Sequence, residues 1–454
     1  MSISEGQIDR TQLAALARRH LKSLAALSVG AGLAVVLGAA AQLLLARSLG
    51  ASSYGVIVTA NALANMLGPF AAFGVGLMLI QKHGDEGWSA RRWAMPALRL
   101  SVFTTLAMTA LFLAWSAFSM EPHQLPAAML MAPFVAVFAA VQLAESRYQL
   151  EHDYVRVARW QVMKHAGVFT VAVLGAVLGW SLDGVAAGLF LAALVTAAAA
   201  FWAGAGFVRK DFMLAGHGPR TTSPTTTPPS YRRIASESWA FAATSFVFLF
   251  FFQSSLVLVH AVEGARSAGV YGLAVSIMTV IYLAPRILYR KFFLAKVSRW
   301  YYKDPARAAA FASRLVPAIA LLSLPLAVVL ALAAPLVIGL AFGAEYAETA
   351  TILQILALAV PFRFISAGLT VAAVETRHVR ERVIWQFAIA AVAAGVILLL
   401  LPRYSVVGVA FVMTCAEVAL AVTYACLAAR DFAHRGRVSA PVAPVAGPMP
   451  GAGP

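Results

Sequence analysis

Stretches of continuous apolar residues, each long enough to cross a bilayer, fill most of this chain. A helix of roughly 20 residues crosses the hydrocarbon core, which is about 30 Å thick. Backbone polar groups in lipid must be satisfied within the segment, and the stretches do not alternate, so helices are favoured over a barrel. We therefore predict an all-α integral membrane protein. The twelve predicted spans are 24–46, 56–80, 97–119, 127–144, 162–180, 184–207, 239–262, 268–288, 315–342, 349–374, 383–401 and 406–428.

The charge of the chain is distributed unevenly between alternate loops. The composition is 61% hydrophobic and only 12% charged, with a net charge of +16, so little sequence remains for a soluble domain. With a cytoplasmic amino terminus, 31 of the 35 Lys and Arg residues face the cytoplasm; Arg47, Arg266 and Arg403 lie in outer loops and Arg363 lies within a span. This asymmetry follows the positive-inside rule and places both termini in the cytoplasm. It explains the basic charge without a nucleic-acid partner.

Motifs of enzymes and metal sites are missing from the sequence. Cys415 and Cys426 share one predicted helix, where eleven residues of rise separate their backbones by about 16 Å, too far for a disulfide. No paired Cys or His spacing indicates a metal or another cofactor. The sequence has no phosphate-binding loop, nucleophile elbow or zinc-protease motif, and Glu121 and His123 are isolated. We expect a protein without enzymatic activity, cofactor or metal.

Short motifs recur in the same order in the two halves of the chain, offset by 217 to 225 residues. An even number of spans returns the chain to its starting side, so the two copies share one orientation. We predict two six-helix lobes related by a pseudo-two-fold axis along the membrane normal. The matching motifs are Tyr54-Gly55 with Tyr271-Gly272, Trp160-Gln161 with Trp385-Gln386, and Gly184-Val185-Ala186 with Gly408-Val409-Ala410.

The repeat sets the predicted domain boundaries. Residues 209–235 are rich in Pro and Thr, which indicates a flexible cytoplasmic linker, and the Pro- and Ala-rich tail is predicted to be disordered. Two bundles joined by a slack linker suit an alternating-access transporter. The predicted parts are a cytoplasmic leader 1–23, a first lobe 24–208, the linker 209–235, a second lobe 236–429 and a cytoplasmic tail 430–454.

The leader permits a second interpretation. Arg18-Arg19 precede an apolar run that contains Ala39-Ala40-Ala41, a pattern typical of a cleavable signal peptide. Cleavage would remove the first span, which belongs to the repeat, and would break the pairing of the lobes. We therefore expect the first span to be retained.

Three motifs of the sequence are Ala46-Arg47-Ser48-Leu49-Gly50 with Tyr54-Gly55, Gly269-Val270-Tyr271-Gly272, and Phe342-Gly343-Ala344-Glu345-Tyr346. They resemble motifs of the polysaccharide biosynthesis, or O-antigen, flippases of the multidrug/oligosaccharidyl-lipid/polysaccharide exporter superfamily. The resemblance implies a V-shaped pair of lobes around a central cavity in the bacterial inner membrane. It implies transport of undecaprenyl-diphosphate-linked oligosaccharide to the periplasm. Many relatives carry an acidic residue in the seventh span, where this chain has Gln253-Ser254-Ser255, and Gln253 is predicted to contact substrate.

The expected partners follow from this interpretation. They are the lipid-linked saccharide, membrane lipids, and the polymerase and chain-length machinery of the same pathway, but no nucleic acid. Basic residues are interleaved with aromatic ones over 286–314, a composition that suits an amphipathic helix lying on anionic headgroups. This segment is either a topology anchor and gate or a loading site for the lipid diphosphate.

Two charged residues lie deep within predicted spans. By helical rise, Arg363 lies about 21 Å from Thr349, and Glu417 about 18 Å from Ser405, so neither can snorkel to water. A charge there costs roughly 2.5 to 3.5 kcal/mol on insertion scales. The two residues neutralise each other as a structural pair, or Arg363 binds diphosphate or acidic sugars while Glu417 titrates with a coupling ion. Pro361 should loosen the helix beside Arg363.

Polar residues of the first two spans are further candidates for contact with substrate. Asn61 and Asn65 share a helix face, and Gln42 could join them. These side chains either pack helices together or bind sugar hydroxyls. Arg47 either anchors a helix end or offers a guanidinium to a departing diphosphate.

Two other functions compete with a flippase. A cation-coupled multidrug extruder of the same fold should have an acidic cavity, whereas the intramembrane charge here includes Arg363. A membrane glycosyltransferase or polymerase acting on lipid-linked sugars should carry catalytic residues on a large outer loop, and every outer loop is short.

Overall fold

The computed structural model describes residues 10–209, 212–218, 227–289, 305–370 and 379–438. Within these ranges the chain is helical, with no strand. The extreme ends of the predicted leader and tail, and most of the basic stretch 286–314, lie outside the described residues. The helices are α1 (Arg10–Ala72), α2 (Val75–Glu86), α3 (Arg91–Ser119), α4 (Leu125–Leu130), α5 (Pro133–Leu150), α6 (Tyr154–Leu178), α7 (Leu182–Gly204), α8 (Tyr231–Leu288), α9 (Pro305–Phe342), α10 (Ala347–Ala357), α11 (Val360–Leu369) and α12 (Val379–Val438).

Three of these helices are far longer than a membrane requires, and each is broken. The backbone leaves the helical region at Gly50 in α1, at Gly264 in α8 and at Ser405 in α12. All three breaks fall between predicted spans. Gly50 and Gly264 have φ of 75° and 84°, a region that glycine enters without steric cost. In the predicted layout, each break separates two consecutive spans.

Apolar character confirms the all-α membrane fold. Among the described residues, seven segments are long and apolar enough to cross a membrane, and the bent pair of α10 and α11 would be an eighth. One of the seven runs over 94 residues, about 140 Å of helix against a 30 Å hydrocarbon core, so it holds more than one crossing. The layout of twelve spans in two lobes stays a prediction.

The two halves of the chain, α1–α7 and α8–α12, repeat one pattern of helices. Each half begins with a long helix broken at a glycine, α1 or α8. Later in each half two helices follow each other after a break of two residues, α4 with α5 and α10 with α11, and the second helix of each pair has proline in its first turn. Proline lacks the amide proton that would continue the preceding helix. This recurrence agrees with the duplication that the motifs predict.

Helices extend past the predicted domain boundaries. The structure begins α1 at Arg10, inside the predicted leader, and α8 at Tyr231, inside the predicted linker. It ends α12 at Val438, inside the predicted tail. Hydropathy marks the part of a helix that lies in hydrocarbon, whereas backbone hydrogen bonds continue the helix into the interface.

Part of the predicted flexible linker packs against the first half. Phe212 and Leu214 are buried in a cluster with residues of α2 and α3. The backbone amide of Ala215 donates to the Leu150 carbonyl at 3.0 Å, and the Trp88 indole donates to the Gly218 carbonyl at 2.9 Å. Apolar side chains within a polar segment explain this docking, because they gain by leaving water. Residues 219–226, which hold most of the Pro- and Thr-rich stretch, lie outside the described residues.

The two halves meet along α1 and α8, and both contribute to one hydrophobic core. Gly55 and Gly269 lie at the closest approach: a Cβ atom added to Gly55 would lie 1.7 Å from the Ala265 carbonyl oxygen. Small residues allow helix backbones to approach closely in membranes. We call the end of the bundle that contains Gly50, Gly264 and Ser405 the break end.

Candidate functional site

Arg363 and Glu417 meet inside the second half. The Arg363 Nη1 atom lies 3.6 Å from the Glu417 Oε1 atom, and the two side chains are 20% and 4% exposed. Arg363 stands on α11, which is bent by 46° relative to α10. The bend lies just before Pro361, as the sequence predicts. The new helix begins at Val360, so Arg363 lies close to the break between the two helices.

Aromatic rings from both arms of α8 enclose the guanidinium. The Arg363 Cζ atom lies 4.6 Å from the centre of the Phe252 ring and 5.2 Å from that of the Tyr282 ring. A cation over an aromatic face gains electrostatic energy, and more so away from water. The planar group of arginine suits this stacking better than the ammonium of lysine. Neither ring was predicted to take part, because two sides of one bent helix meet here only in the folded chain.

The Glu417 carboxylate is only partly satisfied. Its Oε2 atom is buried and has no hydrogen-bond partner. Along the same arm of α12, the Tyr424 hydroxyl donates to the Gln386 Oε1 atom at 3.5 Å. A buried carboxylate with one free oxygen can accept a proton or release its cation to another anion. The ion pair links α11 to the second arm of α12, and one carboxylate oxygen remains able to accept a further hydrogen bond.

The remaining predicted site residues lie apart from this pair. Asn65 donates its side-chain amide to the Asn61 carbonyl at 2.9 Å, so the helix itself brings these two together. Gln42 is half-buried, with a buried Oε1 atom that has no partner. Arg47 is exposed at the break end, and Gln253 is half-buried beside Phe252. Among the described residues, no hydrogen bond or ion pair joins Arg47, Gln42 or Gln253 to the other candidates.

A second pair of opposite charges in the first half escaped the sequence analysis. Glu145 of α5 and Lys164 of α6 are both half-buried, and their charges attract each other. The Lys164 Nζ atom lies 5.6 Å from the centre of the Phe138 ring. The fourth span was predicted to end at 144 and the fifth to begin at 162, which placed both residues at span edges.

A capping residue could have revealed the true start of that helix. Asp153 accepts a hydrogen bond from the Arg156 backbone amide at 3.0 Å, as an N-cap residue does. α6 therefore begins at Tyr154, and Lys164 lies about 15 Å along it by helical rise.

The cysteines and possible metal ligands do not form a further site in the described part of the chain. Cys415 and Cys426 are free. No group of three or more His, Cys, Asp or Glu residues within that part could hold a metal ion.

Comparison with solved structures identifies the fold. The chain superposes on the lipid II flippase MurJ in an inward closed conformation with a TM-score of 0.67, at 12% identity, covering 90% of this chain and 89% of that one. An inward-facing multidrug resistance MATE transporter of the MOP superfamily gives 0.63, at 15% identity, covering 91% and 96%. A MOP superfamily transporter from Pyrococcus furiosus gives 0.54, at 15% identity, covering 91% and 96%. The fold is that of MOP transporters.

Sequence comparison gives the family. No curated protein matches the sequence. Residues 44–351, more than half of the chain, match the family described as polysaccharide biosynthesis protein. The chain therefore belongs to the polysaccharide biosynthesis protein family.

Proposed function

We propose that the protein carries undecaprenyl-diphosphate-linked oligosaccharide across the bacterial inner membrane by alternating access, for surface polysaccharide synthesis. The observation that carries this proposal is the cation Arg363, deep among apolar helices yet still 20% exposed. A structural pair gains nothing from exposure, whereas a binding group requires it. Membership of the polysaccharide biosynthesis family and the fold shared with a lipid II flippase support the same substrate class.

The chemistry of the site suits a diphosphate. Sugar hydroxyls and phosphates cannot cross bare hydrocarbon without polar partners. A guanidinium can hold two phosphate oxygens at once through parallel hydrogen bonds. In this mechanism Glu417 is the counter-ion of Arg363 when the site is empty. The entering diphosphate displaces the carboxylate, and Glu417 takes up a proton from the aqueous phase, so that its own carboxylate is not left buried as an unpaired anion.

The break end faces the periplasm in this proposal. Arg47, Arg266 and Arg403 are the outer-loop cations of the sequence, and each lies within three residues of a break. The linker and both termini then lie in the cytoplasm, as the positive-inside rule requires. The substrate enters from the cytoplasmic end, its polyprenyl tail stays in lipid, and no covalent bond is made or broken.

A cation-coupled multidrug extruder is the second candidate, favoured by the fold shared with MATE transporters. Its cationic substrates would meet the positive charge of Arg363, which like-charge repulsion disfavours. A glycosyltransferase or polymerase is disfavoured because the outer loops are short.

The test uses a strain that lacks the gene and carries a plasmid copy of either the wild type or a variant. We expect the deletion to accumulate lipid-linked saccharide in the cytoplasmic leaflet and to lose surface polysaccharide. Arg363→Ala should reduce export on the order of tenfold, the effect of losing hydrogen bonds to a charged group. Arg363→Lys keeps the charge but loses the stacking between Phe252 and Tyr282, and should give an intermediate level.

Arg403→Ala is the matched control, because Arg403 is exposed at the break end. Export should equal that of the wild type. Membrane abundance of each variant is measured by immunoblot. Normal surface polysaccharide in the deletion strain, together with increased sensitivity to ethidium, would reject the flippase and favour the extruder. Normal export by Arg363→Ala would remove Arg363 from the mechanism.

A further inference from the structure

The break in α1 at Gly50 is bridged by two adjacent residues from the other half of the chain. The Ala51 backbone amide donates to the Glu345 Oε1 atom at 2.7 Å. The Tyr346 hydroxyl donates to the Ala46 carbonyl at 2.9 Å. Both contacts join segments about 300 residues apart in sequence. They lie at the break end, where the motif Phe342-Gly343-Ala344-Glu345-Tyr346 begins at the last residue of α9.

These contacts satisfy the backbone groups that a broken helix leaves without partners. The first amides of the arm after Gly50 and the last carbonyls of the arm before it have no partner within their own helix. Glu345 supplies a carboxylate to the first group, where the helix dipole favours negative charge. Tyr346 supplies a donor to the second. One short segment therefore caps both arms of α1 from outside.

The motif is shaped for this reach. Gly343 has φ of 77° and turns the chain sharply after α9. The Tyr346 ring is buried and packs edge-on against Phe342 at 5.7 Å between ring centres. Gly50 leaves room for the carboxylate, since a Cβ atom there would lie 3.1 Å from the Glu345 Oε2 atom. Glycine at position 50 thus serves both the positive φ and the clearance.

Around the capped break, the two halves pack closely but share few strong polar contacts among the residues described here. Next to the capped break, Gly55 and Gly269 bring the backbones of α1 and α8 together. The Tyr54 hydroxyl is hydrogen-bonded to Ser276 Oγ at 3.1 Å. Of the hydrogen bonds named in these paragraphs, the one from the Ala51 amide to Glu345 involves a charged group. A charge-assisted hydrogen bond is about twice as strong as a neutral one.

We infer that Glu345 and Tyr346 form a latch that holds the break end of the two halves closed. The inference rests on the proposed alternating access and adds to it the contact that must break before the break end opens. Glu345 is a positioning residue, because its carboxylate acts by holding the backbone of α1. Opening removes the cap from both arms of α1. The closed state is therefore favoured until the free energy of substrate binding offsets that loss.

Distance measurement between spin labels tests the latch. Labels at Phe118→Cys and Tyr404→Cys, in protein with Cys415 and Cys426 replaced by Ser, report the separation of the halves in liposomes. Both positions are exposed, at 97% and 62%. Both labels lie near the break end. Tyr404 adjoins the break at Ser405. Phe118 lies near Trp115, whose ring centre is 6.2 Å from that of His260, four residues before Gly264.

Glu345→Ala should shift the ratio of long to short distances on the order of tenfold, as loss of a hydrogen bond to a charged group predicts. Glu345→Gln keeps the size and one acceptor oxygen, and should give a smaller shift in the same direction. Tyr346→Phe should also lengthen the distribution. Glu348→Ala is the matched control, an exposed carboxylate three residues later, and should leave the distribution unchanged.

Unchanged distances in both Glu345 variants, in protein that elutes as a single monodisperse peak, would overturn the latch. If Glu345→Ala does not fold, Glu345→Gln decides the question alone. The measurement uses no substrate, so its result does not depend on which substrate the protein transports. A lengthened distribution together with normal polysaccharide in the deletion strain would keep the latch and reject the flippase.

Discussion

Arg363 and Glu417 pair across two helices, with 3.6 Å between Nη1 and Oε1, while Arg363 keeps a fifth of its side chain exposed. The pair joins α11 to the second arm of α12, and the rings of Phe252 and Tyr282 complete its surroundings from α8. The geometry shows the ion pair, and the binding role of Arg363 is our proposal; experiment can separate the two roles.

A double-mutant cycle separates them. Arg363→Met leaves Glu417 buried without a counter-charge, which is strongly destabilising, whereas removal of both charges avoids that cost. We expect Arg363→Met with Glu417→Gln to recover about 1–3 kcal/mol of the loss in thermal unfolding, measured by intrinsic fluorescence in detergent. Export should stay low in the double variant, because the binding group is gone. Recovery of both stability and export would assign the pair a purely structural role.

The opposite charges of Glu145 and Lys164 in the first half should stabilise the fold by attracting each other. Lys164→Glu places two carboxylates together between α5 and α6, and should lower the unfolding temperature. The swap Lys164→Glu with Glu145→Lys should restore most of it, with a coupling of about 1–3 kcal/mol. Arg159→Glu reverses an exposed charge on the same helix and should change little. An absence of rescue would show that the two charges do not stabilise the fold together.

The contact of α1 with α8 depends on glycine. Gly55→Ala inserts a methyl group that would lie 1.7 Å from the Ala265 carbonyl oxygen, and overpacking of this kind costs about 1–3 kcal/mol. Gly395→Ala meets no atom within 4 Å, and in a helix should stabilise by up to about 1 kcal/mol. Thermal scanning of the two variants should therefore give shifts of opposite sign. Equal shifts would contradict the close approach of the backbones.

The docked part of the linker should protect the chain from proteases. Phe212 is buried against the rings of His83 and Trp88, at 5.4 Å and 5.8 Å between centres. Phe212→Ala removes this anchor, and limited trypsin digestion of the purified protein should then cut at Arg209 or Lys210 several times faster. Met213→Ala, at a position that is 72% exposed, is the control and should keep the wild-type rate. Equal rates in both variants would mean that Phe212 does not hold the segment in place.

The pattern of apolar and polar residues along the chain was sufficient to predict the class of fold and the regions in which the long helices break. Apolar runs predicted helices in lipid, and the recurring Tyr-Gly motifs predicted the alignment of α1 with α8. The ends of helices were predicted less well, because hydropathy fades at the interface while the helix continues. Lys164 was missed for this reason, although Asp153 marks the start of its helix.

By itself, the sequence determined that this protein lies in a membrane, that its backbone is helical and that positive charge concentrates in alternate loops. Each of these depends on residues a few positions apart, through the cost of polar groups in hydrocarbon. Only the tertiary structure decided that Glu345 caps Ala51, that Tyr346 reaches Ala46, and that two rings of α8 enclose Arg363. These contacts join distant segments, and no local periodicity encodes which distant group will satisfy an open backbone amide or a buried charge.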